Sequence, residues 1–191
     1  MVCLCRELFP SSRCLFIYRD FETVVKSSSR SEQVVPTVLV LSKIARVSTW
    51  LTKVMLDAIG LNGADFCEFA STGFMVGAIV PVITTSSYLD ARRRGLDIRA
   101  VRFEDFVARP LDMCRVVLEY CHLPVSLAEL AVRGFETDSQ RNSILAKSVV
   151  GHLKEAEITV QTKAKLNELL KKYEMPLIGE PQIIEGTLTC R

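Results

Sequence analysis

The sequence predicts an α/β fold with a small parallel sheet and many flanking helices. Three observations carry that expectation. Cys14-Leu15-Phe16-Ile17-Tyr18 is an apolar run too short for a helix, and it stops abruptly at Arg19-Asp20. A helix-like segment, residues 21–30, follows at once and carries a hydroxyl at Ser27. A second strand pattern over residues 97–103 is closed by Glu104-Asp105, and Pro110 then opens a helix at a favoured first position. Strands alternating with helices indicate parallel pairing in layers.

The remaining elements read in order. From Val38 to Ile59, Leu41, Ile44, Val47, Leu51, Val54, Met55 and Ala58 recur at helical spacing, and Trp50 is read as core. Asn62-Gly63-Ala64-Asp65 reads as a turn. A helix is expected from about Thr72 to Arg94, bent near Pro81, with cations at its carboxyl end and Gly95 just beyond. The helix opened by Pro110 carries Met113, Val116, Val117, Tyr120 and Cys121, and ends at His122-Leu123-Pro124. Ser126 with Glu129 forms a capping-box pattern before a short helix. Residues 136–142 read as a loop, Thr162 to Met175 as a lysine-rich amphipathic helix, and residues 176–191 as a loose tail.

Bulk composition narrows the function classes. The 191 residues suffice for one domain with a real core, and a 49% hydrophobic content excludes disorder of the whole chain. With 24 basic and 22 acidic side chains the net charge is +2, which argues against a general nucleic-acid binder. Any anion site must come from local placement. Seven cysteines at irregular spacing form no CxxC pair, so no zinc or other metal site is expected. Cys14, Cys114 and Cys121 read as small core residues, in keeping with a reducing, cytoplasmic compartment. The amino-terminal residues do not make a signal peptide, and the apolar run from Phe74 to Thr85 is too short to span a membrane.

A strand that ends in arginine and turns directly into a helix is a natural anion site. Ligands collect beyond the carboxyl ends of parallel strands in open α/β sheets. A guanidinium offers a rigid donor fork for phosphate, and a serine hydroxyl adds a donor. The plainer reading of Arg19 is a pair with Asp20 or Glu22. For Phe103 the alternatives are core packing and a platform for a base. Glu104-Asp105 reads as a polar strand end, and Arg92-Arg93-Arg94 as a solvated helix end.

The segment CLFIYRDFETVVKSSSR resembles the 3′-phosphate-binding segment of the sulfotransferase family, in which an arginine at a strand end and a serine eight positions later hold that phosphate; here the pair is Arg19 and Ser27. GLDIRAVRFEDFVARPLDMCRVVLEYCHLP is similar to the family's later strand and helix, with Phe103 where a tyrosine near the adenine is usual. The resemblance covers residues 8–124. It implies a partial P-loop-type three-layer fold, a single domain over 1–191 incomplete at its amino terminus, and 3′-phosphoadenosine 5′-phosphosulfate as sulfate donor. Arg19, Ser27, Phe103 and, in the segment DSQRNSILAKS, Arg141 are the implied nucleotide contacts.

Two departures bear on activity. Only eighteen residues precede Arg19, and no glycine- and lysine-bearing phosphosulfate loop occurs in the chain. The family's catalytic histidine lies upstream of the arginine, whereas His122 and His152 lie downstream of it. The expectation is therefore a chain that keeps the nucleotide anchor, with sulfuryl transfer to a hydroxyl or amine acceptor left open. The alternative is a non-catalytic nucleotide-binding or interaction module on the same scaffold. Golgi relatives carry an amino-terminal anchor, so that compartment is the alternative to the cytoplasm. A sheet lacking its first strand and helix predicts an exposed edge and self-association.

Overall fold

The computed structural model describes residues 12–34, 43, 47–58, 63–67, 75–136, 151–154 and 157–190. The protein is mixed α/β, mostly helical, with one small parallel sheet of two strands. Its described elements are β1 (Cys14–Tyr18), α1 (Phe21–Val34), α2 (Thr49–Ala58), α3 (Gly63–Cys67), α4 (Met75–Arg93), β2 (Ile98–Arg102), α5 (Phe103–Ala108), α6 (Pro110–Tyr120), α7 (Ala128–Arg133) and α8 (Val160–Lys172). Short 3₁₀ turns flank α7 at Val125–Leu127 and Gly134–Glu136. No helix among the described residues is long and apolar enough to cross a membrane.

The chain forms two compact units. The first comprises Met1–Asp20, Thr84–Thr137 and Ile183–Arg191; the second comprises Phe21–Ile83 and Asp138–Gln182.

The first unit is built on the sheet. β1 and β2 run parallel in register, Phe16 opposite Ala100 and Ile17 opposite Val101. Alternation along β1 sends Cys14, Phe16 and Tyr18 to one face, where they pack with Tyr88, Leu89, Ala91, Ile98, Ala100 and Ile184. Phe16 stacks on Tyr88 at 4.7 Å between ring centroids. Beyond β2 the sheet is continued by one bridge, Ala100 to Thr187, with Ala100 N–H donating to Gly186 and Leu188 N–H donating to Ala100. Gly186 sits at φ +79°, and a Cβ there would meet the Tyr88 hydroxyl at 2.7 Å, so only glycine fits. Residues 176–190, expected as a loose tail, are therefore tied down: Ile178 and Ile184 are buried, and the Tyr88 hydroxyl donates to the Glu185 carbonyl at 2.7 Å. The expectation failed because a strand continued by a single bridge leaves no alternating pattern to read.

The second unit is a helical core. Phe21, Val25, Leu56, Phe66, Ala78, Ile79, Val82, Leu166, Leu169 and Leu170 pack together with Met175 and Ile178. Asp65 accepts from Lys172 and from the Tyr173 hydroxyl, tying α3 to the end of α8. α8 starts earlier than periodicity suggested, because the Thr159 hydroxyl accepts from the Thr162 N–H and caps it. Gly63-Ala64-Asp65, read as part of a turn, instead open the helix α3, which buries Phe66 completely, and Asn62 lies outside the described residues.

Two further expectations are corrected. Trp50 is 71% exposed rather than core, and Val47, Leu51 and Val54 are exposed too, while Leu56 of α2 is buried. Leu41 and Ile44 lie outside the described residues. Ser126 caps nothing: it sits inside the 3₁₀ turn after Pro124, and α7 begins at Ala128 with Leu127 at its N-cap and no side-chain cap.

Three helices end in the same way, the second residue beyond the helix being left-handed and the chain folding back onto an earlier carbonyl. Gly95, His122 and Glu174 hold that position, at φ +79°, +57° and +55°. Leu96, Leu123 and Met175 then donate to Ala91, Leu118 and Leu170. Only the first is a glycine. Replacing Glu174 by glycine is expected to raise unfolding free energy by about 0.5–1 kcal/mol, through relief of the side chain's steric cost. A midpoint in chemical denaturation that stays put or falls would contradict this.

Candidate functional site

The carboxyl ends of both strands meet at one rim of the first unit. β1 hands over to Arg19 and Asp20, and β2 ends at Arg102. α5 begins immediately, placing Glu104 and Asp105 in its first turn, where carboxylates complement the helix dipole. Parallel pairing is what brings these two segments, more than eighty residues apart, side by side.

The strongest contact is a fork. Arg102 donates from Nε to Asp20 Oδ1 at 2.6 Å and from Nη2 to Asp20 Oδ2 at 2.5 Å. That bidentate bond, aided by the nearby charges of Asp105 and Glu104, raises the Arg102 pKa above its already high ordinary value. The Asp20 N–H donates to Glu104 Oε2 at 3.1 Å. Asp105 lies 3.7 Å from Arg102 and Glu104 lies 3.9 Å from it.

Arg19 sits differently. Its guanidinium lies 5.0 Å from the centroid of the Phe103 ring, over its face. Its nearest charge partner is Glu104 Oε1 at 3.7 Å, too long for a hydrogen bond. That oxygen is buried and has no hydrogen-bond partner among the described residues. The Arg19 side chain stays 42% exposed. The plain reading of Arg19, a pair with Asp20 or Glu22, is thus corrected: Asp20 pairs with Arg102, and Glu22 pairs with Lys26 at 2.6 Å. Over the whole rim, two guanidiniums face three carboxylates.

Of the expected site residues, Arg19 and Phe103 are brought into contact. Ser27 belongs to the second unit, on α1, where its hydroxyl donates to the Val24 carbonyl at 3.1 Å. Ser28 and Ser29 do the same to Val25 and Lys26, so the serine run bonds back onto its own helix. In that rotamer Ser27 has no hydroxyl proton left to donate elsewhere. Arg141 lies outside the described residues. Arg102 and Glu104 were missed as organisers of the rim, although their positions next to a strand end were visible in the sequence. No group of three His, Cys, Asp or Glu side chains among the described residues is placed to hold a metal.

Behind the rim, Tyr18 closes the sheet against residues 184–187. The Thr187 hydroxyl donates to the Ile184 carbonyl at 2.7 Å, so the Tyr18 hydroxyl donates to Thr187 at 3.0 Å and accepts from the Ile184 N–H at 3.5 Å. Burial raises the Tyr18 pKa above its ordinary value near 10, against the lowering effect of those bonds. Burial likewise raises Tyr88, Tyr120, Cys114 and Cys121. In each case the neutral form is favoured by folding, and the unfolded chain ionises first as pH rises. Stability is therefore expected to be full below pH 9, where the thiols begin to ionise in the unfolded chain, and to fall from there up through the tyrosine range. Denaturation midpoints measured from pH 7 to 11 check this. A flat profile above pH 9 would contradict it.

The fold and rim define a mixed α/β protein with an ion-paired cluster at the carboxyl ends of a parallel strand pair. No protein-family model, curated protein or solved structure matches the chain.

Proposed function

We propose that the chain is a sulfotransferase-like protein of partial P-loop type, in which Arg19 binds the phosphate of a 3′-phosphorylated adenine nucleotide. In the family it resembles, that nucleotide is the donor 3′-phosphoadenosine 5′-phosphosulfate, and sulfuryl passes to a hydroxyl or amine acceptor. The observation that carries the reading is Arg19: an exposed guanidinium beyond a parallel strand, over an aromatic ring, with no hydrogen bond to a described residue. Such a fork has donors available for a phosphate. Phe103 offers a ring beside it. Ser27 and Arg141 enter the proposal on the resemblance alone. The role of Arg19 is anchoring; remote binding energy of this kind positions the reacting end of a donor.

Titration calorimetry with 3′-phosphoadenosine 5′-phosphate tests the anchor. Weak binding is expected, and 5′-AMP, which lacks the 3′-phosphate, is expected to bind less well. Losing a charge-assisted contact of about 1.5–3 kcal/mol should make Arg19→Ala roughly 10- to 100-fold weaker. Folded protein that gives no heat with the bisphosphate, or an Arg19→Ala variant that binds it unchanged, would sink the reading.

A second reading, a non-catalytic module on the same scaffold, is favoured by the carboxylate surplus at the rim, which opposes a highly charged donor. A radiolabelled-sulfate transfer assay separates the two: nucleotide binding without turnover on any hydroxyl or amine acceptor supports the module.

A further inference from the structure

The rim of the first unit holds two arginine–carboxylate pairs that differ in one respect. Arg102 and Asp20 form a closed fork at 2.5–2.6 Å. Arg19 and Glu104 form an open one: Arg19 Nε stands 3.7 Å from Glu104 Oε1, about 1 Å beyond a charge-assisted bond. Glu104 Oε2 accepts from the Asp20 N–H, whereas Oε1 is buried with no hydrogen-bond partner among the described residues. Two arginines lie within 4 Å of Glu104 among the described residues. Arg102 faces Oε2 and has already given Nε and Nη2 to Asp20, so Arg19 is the group placed to satisfy Oε1.

This arrangement sets a cost on using Arg19 elsewhere. A buried carboxylate oxygen left without a donor is destabilising, and more so than a neutral group. Drawing the guanidinium outward to a ligand removes the positive charge that faces Oε1. An anion held on Arg19 also comes close to the Glu104 charge, and like charges repel in proportion to their size. The resting position of Arg19 fits a pull in both directions: it lies over the Phe103 face, 5.0 Å from the ring centroid, beside Glu104 and still 42% exposed. Asp105 belongs to the same surplus of carboxylates, but the cation beside it is Arg102, at 3.7 Å.

We propose that Glu104 is a specificity-determining competitor for Arg19. In the ligand-free protein it draws the guanidinium inward, and a phosphate binds only by pulling Arg19 away from it. The rim therefore discriminates by ligand charge: Glu104 opposes a doubly charged terminal phosphate more than a singly charged phosphodiester. This rests on the reading of Arg19 as a phosphate anchor, and it names the charge class that the anchor admits most easily.

Titration calorimetry at pH 7.5, above the second ionisation of a phosphate ester at about pH 6, tests the charge ranking. The probes are 3′-phosphoadenosine 5′-phosphate and the same nucleotide with its 3′-phosphate methylated to a diester. Glu104→Gln keeps an acceptor for the Asp20 N–H and removes the charge. It is expected to bind the first probe roughly tenfold more tightly than wild type and the second roughly threefold, since half the charge at the 3′-phosphate gives half the change on a logarithmic scale. Asp105→Asn is expected to give a smaller gain with the first probe. A residue that only shapes the rim would not rank the two probes by charge. Arg19 itself is followed without ligand, by NMR exchange of its Nε–H with water, which should be roughly fivefold faster in Glu104→Gln than in wild type. Where wild type binds, the proposal is overturned if Glu104→Gln binds the first probe no more tightly, if both probes gain alike, or if Asp105→Asn gains as much. Binding by Glu104→Gln alone supports it. If neither protein gives heat with either probe, the anchor reading fails and the exchange measurement decides by itself: faster exchange in the variant upholds the competition, and an unchanged rate overturns it.

Discussion

Gly77→Ala is expected to lower the free energy of unfolding by about 1–3 kcal/mol, the usual range for forcing volume into a packed core. On an open helix the same change would stabilise by about 1 kcal/mol, since alanine is the better helix former. Here a Cβ on Gly77 of α4 would stand 2.0 Å from Ser28 Oγ, 3.0 Å from Val25 Cα and 3.1 Å from Ser28 Cβ. The hydroxyl can rotate away by giving up its bond to the Val25 carbonyl. The Val25 backbone cannot retreat without shifting α1, and Val25 is itself fully buried. The clash therefore outweighs the propensity gain. Adding Ser28→Ala should recover part of the loss and no more, because the contact with Val25 remains. Thermal denaturation of the single and double variants measures both. A single variant more stable than the wild type would refute the close packing of α1 on α4.

Asp20→Ala and Arg102→Met form the second large prediction. Breaking a buried ion pair from one side costs about 3–5 kcal/mol. These side chains retain 19% and 24% exposure, so a loss somewhat below that range, about 2–3 kcal/mol, is expected. The two variants should not be equal. Without Asp20, Arg102 still has Asp105 and Glu104 within 4 Å. Without Arg102, Asp20, Glu104 and Asp105 are left together with only the loosely placed Arg19. Arg102→Met is therefore expected to be the more destabilising, and the double variant to be less damaging than the sum of the two. Urea denaturation of the cycle decides it, and strict additivity would mean that the fork contributes nothing.

The parts of this fold that were legible in the sequence are those set by short-range rules. An apolar run cut off by Arg19-Asp20 marked β1, the Ile98–Arg102 stretch marked β2, and Pro110 and Gly95 punctuated the helices where the backbone demanded it. What was not legible depended on partners far along the chain. Arg102 takes Asp20 across 82 residues, and no local pattern announces that choice over a neighbouring carboxylate. Trp50 occupies a helical spacing that reads as core, yet α2 turns Leu56 inward instead, because burial follows what a helix packs against and not its periodicity alone. At the candidate site, the position of Arg19 beyond a strand and its nearness to Phe103 followed from strand ends meeting in register. The bonding of the Ser27 hydroxyl back to Val24 did not, since the same serine can serve its own helix or an external group.

Ala100 is paired on one side by residues near position 16 and on the other by residues 186–188. While the protein is being made, the first of these partners has long since left the ribosome, and the second is among the last residues to be added to the described chain. Until Leu188 emerges, the nascent chain holds a β-strand with one bare flank and tyrosines with nothing to close over them. Pairing across such separations is slow to form, so β2 gains its second neighbour late, and the interval beforehand is when its bare flank is most open to a wrong strand.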